Sequence, residues 1–113
     1  MNKARRKAIW NLVGRLEAVK GNLENDYVVE DVASELEDIY DEIDCIRDEE
    51  ECYMDNMPEN LQNSSRYEKA DAACDNLYNA VDSIEDAQDS IDDKNIFINN
   101  INKAIEYLNK SAS

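Results

Sequence analysis

The sequence predicts an all-α fold, an elongated antiparallel helical hairpin within a three- or four-helix bundle. Three observations carry that expectation. Apolar residues recur at alternating steps of three and four along nearly the whole chain, which places them on one face of successive helices. The 113 residues include only two glycines, Gly14 and Gly21, and one proline, Pro58, too little turn chemistry to join many strands. Apolar residues reach 42 % of a chain whose length suits one compact domain, residues 1–113, so the stripes can close on a small core.

The pattern marks helices at about 2–24, 27–57, 65–91 and 94–110. The first carries Ile9, Leu12, Leu16, Val19 and Leu23, with Trp10 at the edge of the stripe and expected in the core. The second carries Val29, Val32, Leu36, Ile39, Ile43, Ile46, Glu50, Tyr53 and Met57, in which Glu50 is the one polar break. Ala33, Tyr40 and Met54 widen that stripe on one flank, as a bundle helix requires. The third reads Tyr67, Ala70, Cys74, Leu77, Val81, Ile84, Gln88 and Ile91, beside an alanine column, Ala73, Ala80 and Ala87, that lets a neighbour come close. Ile98, Ile101, Ile105 and Leu108 define the fourth. Glu50 and Gln88 either fix the register between helices or face solvent near an end.

The boundaries have local causes. Asn25 and Asp26 can end the first helix and cap the second, because a short side-chain oxygen accepts an unpaired first-turn N–H. Pro58 cannot continue the second helix, so residues 58–63 read as a loop. Ser65-Arg66-Tyr67-Glu68 matches a capping box that opens the third. At Asp92-Asp93-Lys94-Asn95 the apolar phase slips, which signals a kink or a new helix. The second and third helices are then antiparallel neighbours, with the outer two gathered at the end of the hairpin away from its tip.

No apolar run approaches the ~18 residues of a membrane-spanning helix. Asn11, Gly14, Arg15 and Glu17 interrupt any apolar region behind the basic start, which argues against a signal peptide. Cys45 and Cys52 are seven residues apart, roughly 10.5 Å along a helix, too far for a disulfide. Cys74 falls in the apolar stripe. Reduced thiols in a cytoplasm are the expectation.

Charge is segregated along the chain. Residues 1–20 carry six bases and one acid, a net +5, so of the chain's −15 the remainder carries −20. Residues 30–59 hold fourteen acids against Arg47 alone. On the second helix Glu30, Asp31, Glu37, Asp38, Asp41, Asp44, Asp48, Glu51 and Asp55 lie away from the apolar stripe. On the third, Asp71, Asp75, Asp82, Glu85, Asp86, Asp89, Asp92 and Asp93 do the same, with no base between 71 and 93. Like charges at i,i+4 weaken a helix, so helix stability alone would favour interspersed lysines. Twenty-three acids in 30–59 and 64–93, spread over about 45 Å, give roughly one carboxylate per 2 Å. Duplex DNA presents one phosphate per about 1.7 Å. Solubility is the plainer reading of such faces.

Other chemistries are poorly served. Histidine is absent, which removes the commonest general base and the Glu-x-x-His pairs of di-iron bundles. No glycine follows Gly21, so no EF-hand loop can form. No nucleophile stands with a base and no phosphate loop appears; neither an enzyme nor a cofactor or metal is expected. The basic first helix with Trp10 has the pattern of a membrane-surface anchor, but packing beside the acids of its own chain accounts for it more simply.

The string Asp48-Glu49-Glu50-Glu51-Cys52-Tyr53-Met54-Asp55-Asn56-Met57-Pro58-Glu59-Asn60-Leu61-Gln62, followed by Ser65-Arg66-Tyr67-Glu68, resembles short acidic helical proteins of phages and integrative elements of low-GC Gram-positive bacteria. The likeness covers roughly residues 30–91 and carries over no functional residue. It implies a mobile-element setting, where small acidic proteins inhibit host defence nucleases, anti-CRISPR proteins among them. The expected function is a non-catalytic inhibitor that presents Glu37, Asp38, Asp41, Asp44, Asp48, Glu51, Asp55, Asp71, Asp75, Asp82, Glu85, Asp86 and Asp89 to the basic groove of a host nucleic-acid-binding protein. Such a protein would mimic nucleic acid and bind neither nucleic acid nor membrane. The alternative is an assembly or chaperone module, a homodimer for instance, joined through the apolar tip residues Tyr53, Met54, Met57 and Leu61. A third reading is an inhibitor that binds through that tip, with the acids assisting approach.

Overall fold

The computed structural model describes the backbone of residues 1–22 and 29–113 and the side chains of residues 1–22 and 31–113. Within these lie four α-helices: α1 (Lys3–Asn22), α2 (Val29–Asp55), α3 (Ser65–Asp89) and α4 (Lys94–Ser111), with one 3₁₀ turn at Glu59–Leu61. The expected contributions of Leu23, Asn25, Asp26, Val29 and Glu30 lie outside the described residues or side chains. The fold is an all-α bundle, 54 × 21 × 19 Å, elongated as the two long central helices require.

Each turn of chain follows from local chemistry. Pro58 adopts φ −56° and ψ 147°, which breaks α2, and its carbonyl accepts the Leu61 N–H at 2.8 Å to start the 3₁₀ turn. Ser64, one residue before the expected cap, accepts the Tyr67 N–H on its Oγ at 3.3 Å. The capping box read at Ser65 and Glu68 is therefore displaced: Ser65 is already helical, and Glu68 gives only its backbone N–H, to the Ser64 carbonyl. At the phase slip a new helix does begin. Ser90 closes α3, and Asp93 caps α4 by accepting the Ile96 N–H at 3.3 Å. Asn100, buried on α4, donates to Ser90 Oγ across this turn at 3.3 Å.

The helices run up and down in turn, each packed on its neighbours in sequence, and α1 meets α4 to close the ring. The core takes Ile9, Leu12, Leu16 and Val19 from α1 and Val32, Leu36, Ile39, Ile43 and Ile46 from α2. From α3 come Leu77, Ala80, Val81, Ile84 and Ala87, and from α4 Phe97, Ile101, Ala104, Ile105 and Leu108. The alanine column is buried as expected, and α4 makes its most extensive contact with α3. Phe97 and Ala104, outside the expected stripe, are fully buried, whereas Ile98 is only half-buried. Trp10 corrects the sequence reading: it is 58 % exposed. It lies about 100° around α1 from Ile9, on the flank away from Leu12 and Leu16, so it cannot share their face.

A second, smaller cluster of Met54, Ala70 and Cys74, with Tyr67 packed against it, forms the hairpin tip. Between the two clusters sits Glu50, fully buried. Its Oε2 accepts a hydrogen bond from Arg5 Nε at 2.7 Å, and its Oε1 lies 3.1 Å from the Met1 amino nitrogen without a hydrogen bond. The break in the α2 stripe is thus the point where α1 is fixed to α2. Gln88, the other break, is half-buried.

Candidate functional site

On one flank of each central helix acids predominate: Glu37, Asp41, Asp44, Asp48, Glu51 and Asp55 on α2, and Asp71, Asp75, Asp82, Glu85 and Asp89 on α3, with Tyr40, Arg47 and Tyr78 among them. Because the helices are antiparallel, these flanks meet along one open side of the α2–α3 seam. The register is fixed where Arg47 lies over the Tyr78 ring, 5.9 Å from its centroid, and where Cys74 Sγ approaches Met54 Sδ at 3.6 Å. It sets Asp55 level with Asp71, Glu51 with Asp75, Asp48 with Tyr78, Asp44 with Asp82, Asp41 with Glu85 and Glu37 with Asp89.

The geometry confirms this ladder at two levels. Tyr40, half-buried in the seam, has its phenol pKa pushed up by burial and then by Glu85, Asp44, Asp82 and Asp41, two acids from each helix. Nearer the tip a surface groove is lined by Glu51, Asp55, Asp71 and Asp75 with Met54, Cys74 and Tyr78. Flanking positions of paired helices ordinarily carry opposite charges that bond across the interface. Here like faces like.

Arg47 is the single base in the ladder. It pairs with Asp44 at 2.8 Å, Glu51 at 2.9 Å and Asp48 at 3.5 Å, and its pKa is raised, chiefly by the hydrogen bond with Asp44. Among the described residues no base lies within ion-pair distance of Glu37, Asp41, Asp55, Asp71, Asp75, Asp82, Glu85 or Asp89. On α1, Arg15 is directed to the other flank of α2, where it bonds Glu35 at 2.8 Å and also reaches Glu42, and its pKa rises, first through the Glu35 hydrogen bond. Arg5 meets the buried Glu50 and Lys20 pairs with Glu17 of its own helix, so among the described residues no base of α1 pairs with an acid of the ladder.

Eleven carboxylates line the ladder between Glu37 and Asp55 and their α3 counterparts, over about 27 Å at 1.5 Å per residue. That is one per roughly 2.5 Å, somewhat sparser than duplex DNA at one per about 1.7 Å. Asp38 and Asp86, also expected on this face, fall on the outward surfaces of their helices instead, about 100° beyond Glu37 and Glu85. Sequence reasoning found the acids but not their facing across the seam, nor the places of Tyr40, Arg47 and Tyr78 within it; the one-sided run of acids on each helix was the available signal.

At the tip, the expected apolar set divides. Met54 is buried against Ala70 and Cys74, 9 % exposed, and is not available to a partner, because it continues the inward line one turn beyond Glu50. Tyr53 is 38 % exposed beneath the Arg5 guanidinium, which lies 5.8 Å from the ring centroid, and Leu61 is 42 % exposed. Met57 is half-buried. Tyr53, Met57, Pro58 and Leu61 line a groove of about 350 Å³ with Asn56, Ser64 and Arg66. Cys45 and Cys52 are exposed thiols and Cys74 is buried; burial, then Glu50, Glu51, Asp71 and Asp75, push its pKa up to about 12.

Among the described residues no cysteines and acids converge closely enough to hold a metal ion, and no helix is long and apolar enough to cross a membrane. No protein-family model, curated protein or solved structure matches the chain.

Proposed function

We propose that this chain is a non-catalytic binding protein whose α2–α3 acid ladder occupies a basic groove that otherwise holds nucleic acid. The observation that carries the reading is the facing of carboxylates along one side of the hairpin, with Arg47 as the one base paired among them. Repulsion across a helix seam costs folding free energy, and on α1 Arg15 is spent on the opposite flank and Arg5 on the buried Glu50. A partner lined with lysine and arginine recovers that energy when it binds. The partner's basic groove would read spacing and sign of charge, as it reads a phosphate backbone, without base contacts. In the mobile-element setting that the tip string resembles, the target would be a host defence protein, of the CRISPR type for example, held inactive by occupation of its groove.

The test is competition. The chain, immobilised, is exposed to lysate of a low-GC Gram-positive host at low salt, and bound proteins are eluted with duplex DNA or with salt. Nucleic-acid-binding proteins released by both eluents, and not retained by a D41N/D44N/D82N/E85Q variant, support the reading. Retention that is indifferent to DNA, or equal on the variant, refutes it, since binding to a phosphate site must weaken as salt rises.

A further inference from the structure

We infer that the apolar groove at the hairpin tip is the contact between two copies of this chain, joined about a two-fold axis. The acid ladder holds copies apart along most of their length, so self-association requires a surface clear of acids. The groove at the tip is such a surface: its lining carries no acid and one base, Arg66, and residues 56–70 hold Glu59 and Glu68 against Arg66 and Lys69, with Asp55 and Asp71 at their borders. Apolar side chains are exposed there as well. Tyr53, Met57 and Leu61, with Pro58 between them, border an open groove that water fills in the free chain. Releasing that water on contact is favourable, because the lining is largely apolar.

Charge complementarity selects a second copy as the occupant. Arg66 stands on the groove wall and Glu59 is exposed on the adjoining 3₁₀ turn. In a two-fold contact each groove receives the other copy's Leu61, and Arg66 of each copy meets Glu59 of its mate, so one pairing is made twice. The ladders of the two copies then extend away from the joint in opposite directions, which keeps their carboxylates apart.

Sedimentation equilibrium of the full chain from about 10 µM to 1 mM tests this without any other partner, so it succeeds or fails independently of the groove-binding proposal. A monomer–dimer equilibrium is expected at 0.15 M NaCl, where repulsion between the two bodies is screened beyond about 8 Å. Leu61→Ser should weaken the dimer at least tenfold with helicity unchanged, since Leu61 is not in the core. Arg66→Glu should weaken it similarly, and the double variant E59R/R66E should restore it. A chain that stays monomeric at 1 mM overturns the inference. So does a dimer indifferent to Leu61→Ser, or one that Arg66→Glu weakens and E59R/R66E fails to restore, because each places the contact elsewhere.

Discussion

Replacing Glu50 with alanine leaves Arg5 facing the gap between the two hydrophobic clusters with its carboxylate partner gone. Loss of one member of a fully buried ion pair costs about 3–5 kcal/mol. Glu50 is fully buried, but the Arg5 side chain keeps 13 % of its exposure and lies over Tyr53, so its guanidinium can turn toward water. The Met1 amino group, 3.1 Å from Oε1 and 1 % exposed, is less free to do so and loses the same counter-charge, so the expected loss stays at about 3–5 kcal/mol. For a domain of this size that lowers the melting temperature by roughly 12–20 °C. Urea unfolding followed by circular dichroism would measure it in Glu50→Ala, Arg5→Ala and the double variant. The cycle should return a coupling of about 2 kcal/mol, the two changes sharing one hydrogen bond and one desolvated charge. A Glu50→Ala loss below about 0.5 kcal/mol, the scatter of ordinary surface changes, would refute the view that this pair fixes α1 on α2.

Three further outcomes are expected. Neutralising one level of the ladder, as in D82N/E85Q, should raise the melting temperature by a few degrees at low salt, with the gain fading toward 0.5 M NaCl as screening removes the repulsion; thermal melts over a salt series would show it. A thiol reagent at pH 8 should modify Cys45 and Cys52 readily, whereas Cys74 should react at least ~100-fold more slowly until the chain unfolds, since only its thiolate reacts and burial disfavours it. Stability should fall as the solution becomes alkaline. Tyr40 and Cys74 both have raised pKa values in the fold, so their contributions are complete below the ordinary values of 10.0 and 9.0 and are lost as pH climbs toward the folded ones, about 12 for Cys74. Urea midpoints from pH 8 to 11 should decline, and Y40F/C74A should flatten the decline.

Much of the bundle was legible because helix periodicity and solvent sorting act residue by residue. The stripes of α1 and α2, the alanine column of α3 and the break at Pro58 are local facts. Trp10 was misplaced because an edge position is decided by where the neighbouring helices lie, which one helix's own pattern does not state. Phe97 and Ala104 were missed for the same reason, α4 lying so closely along α3 that a broader face is covered. Ser64 took the cap expected at Ser65 because either serine suits the role and the 3₁₀ turn before it sets the entry. The acids of the site were legible as a one-sided distribution. Their facing across the seam was not, since it depends on the antiparallel register that Arg47 and Tyr78 report.

The order of packing has a consequence for how the molecule assembles and comes apart. Among the described residues the principal contacts join helices adjacent in the chain, apart from those between α1 and α4, and of the adjacent pairs α1 and α2 touch least. Low sequence separation favours rapid folding, so α2, α3 and α4 can gather first and α1 is laid into their groove last. The reverse holds for opening: amides of α1 should exchange with solvent through a partial unfolding that leaves α3 protected. The Arg6 guanidinium donates to the Ala112 carbonyl at 3.1 Å and ties α1 to the end of α4, so Arg6→Ala should speed that exchange.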